Sequence, residues 1–146
     1  MMFWDASALI PLCIDEPSSK TLRSMARKEG AIVVWWGTLI ECLSAFSRLR
    51  RENILDLSTE NQVRRLLKKL ATVWTEIQPS EEIRQIAGRL LLAHPLRAAD
   101  SLQLAAALIW ADKNPQEHLF VCLDKRLRDA AQREGFALMP SAERFV

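Results

Sequence analysis

Leu119-Phe120-Val121-Cys122-Leu123-Asp124 is the stretch on which the reading of this chain turns. An apolar run this short, with no polar interruption, has the length of a buried strand rather than a buried helix. The aspartate that ends it is a good helix N-cap. Behind it, Leu127, Ala130 and Ala131 recur at helical spacing until Gly135 stops the pattern. A strand that passes into a helix through one acidic residue is a building unit of an α/β fold.

The same alternation fills the chain on both sides. Upstream, Pro95 breaks one helix, and the next is expected from about Arg97 to Lys113, with Leu104, Ala105, Leu108 and Ile109 as its apolar stripe. Ser80 caps the helix before it and turns Ile83, Ile86, Ala87 and Leu90 inward. Val73 to Ile77 reads as a strand closed by Pro79. A helix starting near Ser58 carries Val63, Leu66, Leu67 and Leu70. Thr38 opens a helix reaching about Arg51, with Leu39, Cys42, Leu43 and Phe46 on its inner face. Ala31 to Trp35 is another buried strand. Before it Ser18 caps a helix that runs to Glu29 and stops at Gly30. Met2 to Trp4 is the first strand, followed by Asp5 and a short helix over about Ser7 to Cys13. Phe136 to Met139 is the last strand. About five strands with helices between all of them predict a three-layer α/β domain, a central and mostly parallel sheet flanked by helices.

The bulk numbers fit that picture. A length of 146 residues suits a single domain spanning 1–146. A hydrophobic share of 49 % with 26 % charged residues is an ordinary globular balance and speaks against disorder. The net charge of +2 permits a nucleic-acid partner only if the basic residues cluster. Cys13, Cys42 and Cys122 form no CxxC pair and sit among apolar neighbours. They read as small buried hydrophobes in a reducing compartment. With only His94 and His118 beside them, zinc-ligand spacing is absent. No basic region precedes the apolar start, and no run nears the roughly 18–20 residues of a membrane span. The expectation is a cytoplasmic protein without a membrane partner.

Ligands of open parallel sheets bind beyond the carboxyl ends of the strands, where the strand order switches direction. Asp5 ends the first strand and Asp124 the fourth, so the two are close if those strands are neighbours. Glu41 lies in the first turn of a helix that follows a strand, and right-handed crossovers start such helices at the same edge. Asp100 follows a helix, and spacing constrains it less. Each acid also has a structural reading. Thr38 and Glu41 form a capping box, Asp124 is an N-cap, and Asp100 suits a first-turn helix dipole. Asp5 is harder to place that way, because an acid directly after a buried strand costs stability unless it is paired or coordinated. Four acids in one pocket raise each other's pKa. A hard divalent cation, Mg²⁺ or Mn²⁺, relieves that repulsion.

These residues resemble the motifs of a known family. Asp5-Ala6-Ser7-Ala8-Leu9 resembles the opening motif of PIN domains, and Glu41-Cys42-Leu43-Ser44-Ala45 their glutamate-bearing helix. Arg97 to Ala105, with Asp100 in its midst, closely resembles the third motif. Leu123-Asp124-Lys125-Arg126-Leu127 resembles the fourth. The resemblance spans nearly the whole chain, and its length resembles that of VapC toxins of bacterial type II toxin–antitoxin pairs. It implies that Asp5, Glu41, Asp100 and Asp124 form a catalytic acidic site holding Mg²⁺ or Mn²⁺. It places Ser7 beside that site, orienting a carboxylate or water. It further implies RNA as substrate, a cognate antitoxin that blocks the site with a basic side chain, and a homodimer. Gln103 stands where family members often carry His, behind the acids.

The expected reaction is metal-assisted phosphodiester hydrolysis, with Asp5 and Asp100 as main ligands and Asp124 and Glu41 completing the shell or positioning water. Phosphate contacts are expected from Arg97, Lys125, Arg126 and Arg128, with Arg48, Arg50 and Arg51 as another set; an ordinary solvated face is the alternative for both. Trp35 or Trp36 is a candidate for stacking on a base, with packing or dimer contact as the competing role. Leu22, Met25, Leu43, Phe46 and Leu49 suit either a dimer face or the core. Two other functions stay open. One is a non-catalytic interaction module on a PIN-like scaffold. The other is a receiver-like domain whose aspartate accepts a phosphoryl group, a scheme in which the Arg97–Ala105 motif has no place.

Overall fold

Successive side chains of a strand point to opposite faces, so an apolar strand can serve two cores at once. The computed structural model, which describes residues 1–141, shows this use of every central strand. The elements run β1 (Met2–Trp4), α1 (Ala6–Cys13), α2 (Ser19–Glu29), β2 (Ile32–Trp35), α3 (Thr38–Arg51) and α4 (Leu57–Ala71). They continue with β3 (Thr75–Ile77), α5 (Glu81–Ala93), α6 (Ala98–Trp110), β4 (Leu119–Val121), α7 (Lys125–Glu134) and β5 (Ala137–Met139). A single 3-10 turn at Pro115–Glu117 leads into β4.

The five strands form one sheet in the order β3-β2-β1-β4-β5, and every pairing is parallel. Phe3, Val33, Trp35 and Phe120 pack against α5, α6 and α7, through Ile83, Leu90, Leu104, Leu108, Leu127 and Ala131 among others. Met2, Trp4, Ile32, Val34 and Val121 pack against α1 to α4, through Leu9, Leu22, Cys42, Phe46, Val63 and Leu67. The expected three layers, α/β/α around a parallel sheet, are therefore present. Phe3 and Phe120 stack across the β1–β4 pair with ring centroids 5.6 Å apart. Among the described residues no helix is long and apolar enough to cross a membrane.

The chain runs outward from β1 to β2 and β3, then returns across the sheet to place β4 on the other side of β1. The switch of direction thus falls between β1 and β4. The Asp5 amide extends their ladder by donating to the Val121 carbonyl at 2.9 Å.

Several local expectations need correction. Ser18 precedes α2, but its side chain makes no capping bond. Ser19 closes that turn instead, accepting from the Glu16 amide and donating to the Ile14 carbonyl, each at 2.8 Å. Leu66 is exposed, because α4 turns Glu60, Val63 and Leu67 inward and leaves Leu66 to one side. Helix α6 stops at Trp110 rather than near Lys113; Asp112 and Lys113 take left-handed backbone angles, φ 52° and 60°, which end the helix. The third strand is only Thr75–Ile77, with Val73 exposed on the turn before it. Leu22 and Phe46 are wholly buried in the α1–α4 core, whereas Met25, Leu43 and Leu49 are only partly buried against it.

Candidate active site

A strand end fixes a side chain well because the ladder holds its backbone, and the switch point brings two such ends together. Asp5 follows β1 and caps α1. It is almost wholly buried. The Ser7 amide donates to Asp5 Oδ2 at 3.1 Å, and the Ser7 hydroxyl donates to the same oxygen at 2.5 Å. Ser7 Oγ in turn accepts the Leu123 amide at 2.9 Å. Ser7 therefore ties the carboxylate of one strand end to the backbone of the other, the place foreseen for it beside the acids. The Cys122 thiol adds a weaker contact to Asp5 Oδ2 at 3.6 Å.

Asp124 is exposed at the end of the β4 segment, where its Oδ1 accepts the Leu127 amide at 3.1 Å. The capping reading and a place at the site are both satisfied by one carboxylate with two oxygens. Asp100 lies in the first turn of α6 and takes a hydrogen bond from the Arg97 backbone, as a first-turn acid does at an N-cap. Helices α5 and α6 pack side by side, and α6 crosses to the β2 side of the sheet. That returns the α6 N-terminus to the carboxylate edge, the step that spacing left unconstrained.

Glu41, in the first turn of α3, is not held by a capping box. The Thr38 side chain is buried within the helix start and makes no cap bond. Instead the Gln103 carboxamide, fully buried on α6, donates to Thr38 Oγ1 at 2.8 Å and to Glu41 Oε2 at 3.2 Å. The sequence reading placed Gln103 behind the acids and assigned it no part. Cys122 and Gln103 are the two residues it missed. Both are uncharged and stand in apolar stretches, and nothing in the sequence marks them until their neighbours are known.

The charges feel one another. Asp5 is pushed up from 3.8 to about 6, chiefly by burial, with Asp100 adding repulsion against the Ser7 hydrogen bonds. Glu41 is pushed up from 4.5 to about 7 by burial and by Asp5 and Asp100, opposed by the Gln103 hydrogen bond. Asp100 is also raised, by burial and then by Asp124, while Arg97 and Arg126 pull the other way. All four predicted acids thus fall within one electrostatic neighbourhood at the switch point.

Glu41, Asp100 and Asp124 line a cleft of about 760 Å³, together with Ile40, Ser44, Ala45, Arg48, Arg97, Ala99, Lys125 and Arg126. Of the predicted cationic contacts, Arg97, Lys125 and Arg126 stand at this cleft. Arg48 joins them, two turns along α3 from Glu41. Arg128 does not. It is buried, and its guanidinium donates to the carbonyls of Cys122 at 2.8 Å, Pro140 at 2.9 Å and Met139 at 3.4 Å. Arg50 turns toward Glu60, 3.7 Å away. Neither Trp35 nor Trp36 lines the cleft. Trp35 is buried in the core, where it lies close over Gly37; a Cβ there would stand 2.5 Å from the indole nitrogen.

The donor set is oxygen-only, carries like charges and is partly desolvated, which suits a hard divalent cation. Among the described residues, no three His, Cys, Asp or Glu side chains already converge as a finished metal cage. Asp5 is held by Ser7, while no hydrogen bond between side chains other than the one from Gln103 holds Glu41 among the described contacts.

No family model matches the chain. It is similar to two curated proteins of Mycobacterium tuberculosis, Ribonuclease VapC45 and Ribonuclease VapC49. Each is 28 % identical to it over 145 residues, covering 97 % of this chain and 96 % of the relative. The likeness runs the length of both chains, as the motif resemblance does.

Proposed function

We propose that this chain is a VapC-type toxin endoribonuclease, hydrolysing RNA phosphodiester bonds at an acidic site that holds Mg²⁺ or Mn²⁺. The observation that carries the reading is the meeting of Asp5, Glu41, Asp100 and Asp124 at the β1–β4 switch point, under a cleft rimmed by Arg48, Arg97, Lys125 and Arg126. The whole-length similarity to named ribonucleases supports it.

Asp5, Glu41, Asp100 and Asp124 would hold the cation, directly or through water. When bound, it supplies a water of lowered pKa and offsets charge on the phosphate. The rest falls to the protein. Asp5, fixed by Ser7 and almost wholly buried beside the cleft, would be the anchoring ligand. Asp100 and Asp124, less buried, would complete the oxygen set from the cleft itself. Glu41 is half-buried at the cleft, so it would either complete the oxygen set or orient the attacking water. Arg97, Lys125 and Arg126 draw RNA phosphates over the acids, which would otherwise repel them. In the cytoplasm, a protein antitoxin with a basic side chain would silence such a cleft by occupying it. The active species is proposed to be a homodimer, to be checked by sedimentation.

The test is cleavage of single-stranded RNA by purified protein stripped with EDTA, then resupplied with Mn²⁺. Cleavage is expected to fall by at least about 100-fold in EDTA and to return with Mn²⁺. Equal cleavage with and without chelator would overturn the reading. Stable, acid-labile labelling by a small phosphodonor would favour the receiver-like alternative instead.

A further inference from the structure

Gln103 is the most conspicuous buried polar group that the proposed reaction does not use. Its side chain is entirely enclosed, yet it reaches between helices far apart in sequence, from α6 to the first turn of α3. Both amide hydrogens have acceptors, Thr38 Oγ1 and Glu41 Oε2. Its Oε1 has no partner among the described residues. Burying an acceptor without a partner costs about 1–3 kcal/mol, so stability alone does not account for a glutamine here. An apolar side chain of the same length would be cheaper for the fold.

The geometry points to Gln103 as the positioning residue of Glu41: its carboxamide, braced on Thr38, holds the Glu41 carboxylate toward Asp5 and Asp100. The inference rests on the nuclease reading for what Glu41 does. Gln103 lies three residues after Asp100 on α6, so one face of that helix presents a ligand and the brace of another. Glu41 itself is on the opposing helix, and among the described contacts its carboxylate has no other hydrogen bond or ion pair. A free glutamate side chain samples many rotamers, and immobilising it costs up to roughly 2 kcal/mol of entropy. The amide bears that ordering cost beforehand, while the protein is still empty. Its N–H is also a donor only, so it favours the carboxylate presenting an oxygen rather than a proton toward α6. Thr38 belongs to the device, because its Oγ1 accepts the second hydrogen bond of the same amide nitrogen.

The experiment compares wild type, Gln103→Leu, Gln103→Met, Glu41→Gln and the double variant Gln103→Leu/Glu41→Gln. Mn²⁺ affinity is read by calorimetry, RNA cleavage by kcat and KM, and folding by thermal melts. Loss of a residue that orients a metal ligand typically weakens affinity or rate by about 10–100-fold. We expect Gln103→Leu and Gln103→Met to lose that much in Mn²⁺ affinity or kcat, with KM for RNA little changed and Tm equal to or above wild type. We expect Gln103→Leu to add nothing in the Glu41→Gln background. Wild-type Mn²⁺ affinity and kcat in both Gln103 variants would overturn the inference while leaving the nuclease reading intact. Multiplying losses in the double variant would overturn it as well. If Gln103→Leu does not fold, Gln103→Met and Thr38→Val carry the same comparison. Absence of Mn²⁺ binding and cleavage in the wild type would instead sink the nuclease reading, and this inference with it.

Discussion

Asp5→Asn is expected to abolish RNA cleavage, by more than about 100-fold in kcat/KM, while making the metal-free fold more stable. The two effects come from one cause. Asp5 is the most buried of the four acids, and its carboxylate is charged against desolvation and against Asp100. A carboxylate raised from 3.8 to about 6 is held in its charged form above that pH at a cost to the fold. At 1.36 kcal/mol per unit the cost is roughly 2–3 kcal/mol, of which Asn, weakening the Ser7 hydrogen bonds, returns about 1–2 kcal/mol. The sign with pH follows. The stability Asp5 contributes is fully present below 3.8 and is lost as pH rises through about 6. Melts in EDTA at pH 5 and pH 8 should therefore show wild type losing stability relative to Asp5→Asn as pH rises. Added Mn²⁺ should raise the Tm of wild type and not of the variant. Equal cleavage by both proteins, or a pH-independent difference in Tm, would contradict the placement of Asp5.

Arg128 and Arg126 are two residues apart and are expected to fail in opposite ways. Arg128→Met should destabilise the fold by about 2–4 kcal/mol, since three backbone carbonyls at the β4–β5 edge lose a charged donor. Below its lowered Tm, kcat and KM per folded molecule should stay within about 3-fold of wild type. Arg126→Ala should leave the stability within about 0.5 kcal/mol of wild type, because it is exposed. It should raise KM for RNA several-fold and lessen the salt dependence by about one phosphate contact. Thermal melts with a salt series of cleavage rates decide it. A stable Arg128→Met with raised KM would return Arg128 to the substrate face.

That pair also shows where the amino-acid sequence is informative and where it is not. The strands and the layer order were legible because buried parallel strands are short apolar runs, and Met2–Trp4, Ile32–Trp35 and Leu119–Val121 are interrupted by nothing polar. Asp5 and Asp124 were legible because strand ends map onto one sheet edge. Asp100 was placed by resemblance alone, since the crossing of α6 over the sheet is a tertiary fact with no local signal. Arg128 was misread because i+2 spacing from Arg126 rotates a helical side chain by a little over a half turn, from the cleft to the core side. Glu41 had the spacing of a capping box, but a buried amide from α6 competes for the Thr38 hydroxyl and wins. Gln103 and Cys122 carry no charge, and uncharged polar residues in apolar stretches announce no role until their neighbours are known.

The strand order has a consequence for synthesis. β4 is the neighbour of β1, yet about 115 residues separate Phe3 from its partner Phe120. At the ribosome's pace of about 5–20 residues per second, β1 waits some 6–25 seconds for that partner. Until then the β1 end stands without the β4 end beside it, and Ser7 Oγ has no Leu123 amide to accept. A nascent or truncated chain that stops short of β4 would therefore not bring Asp5 and Asp124 together.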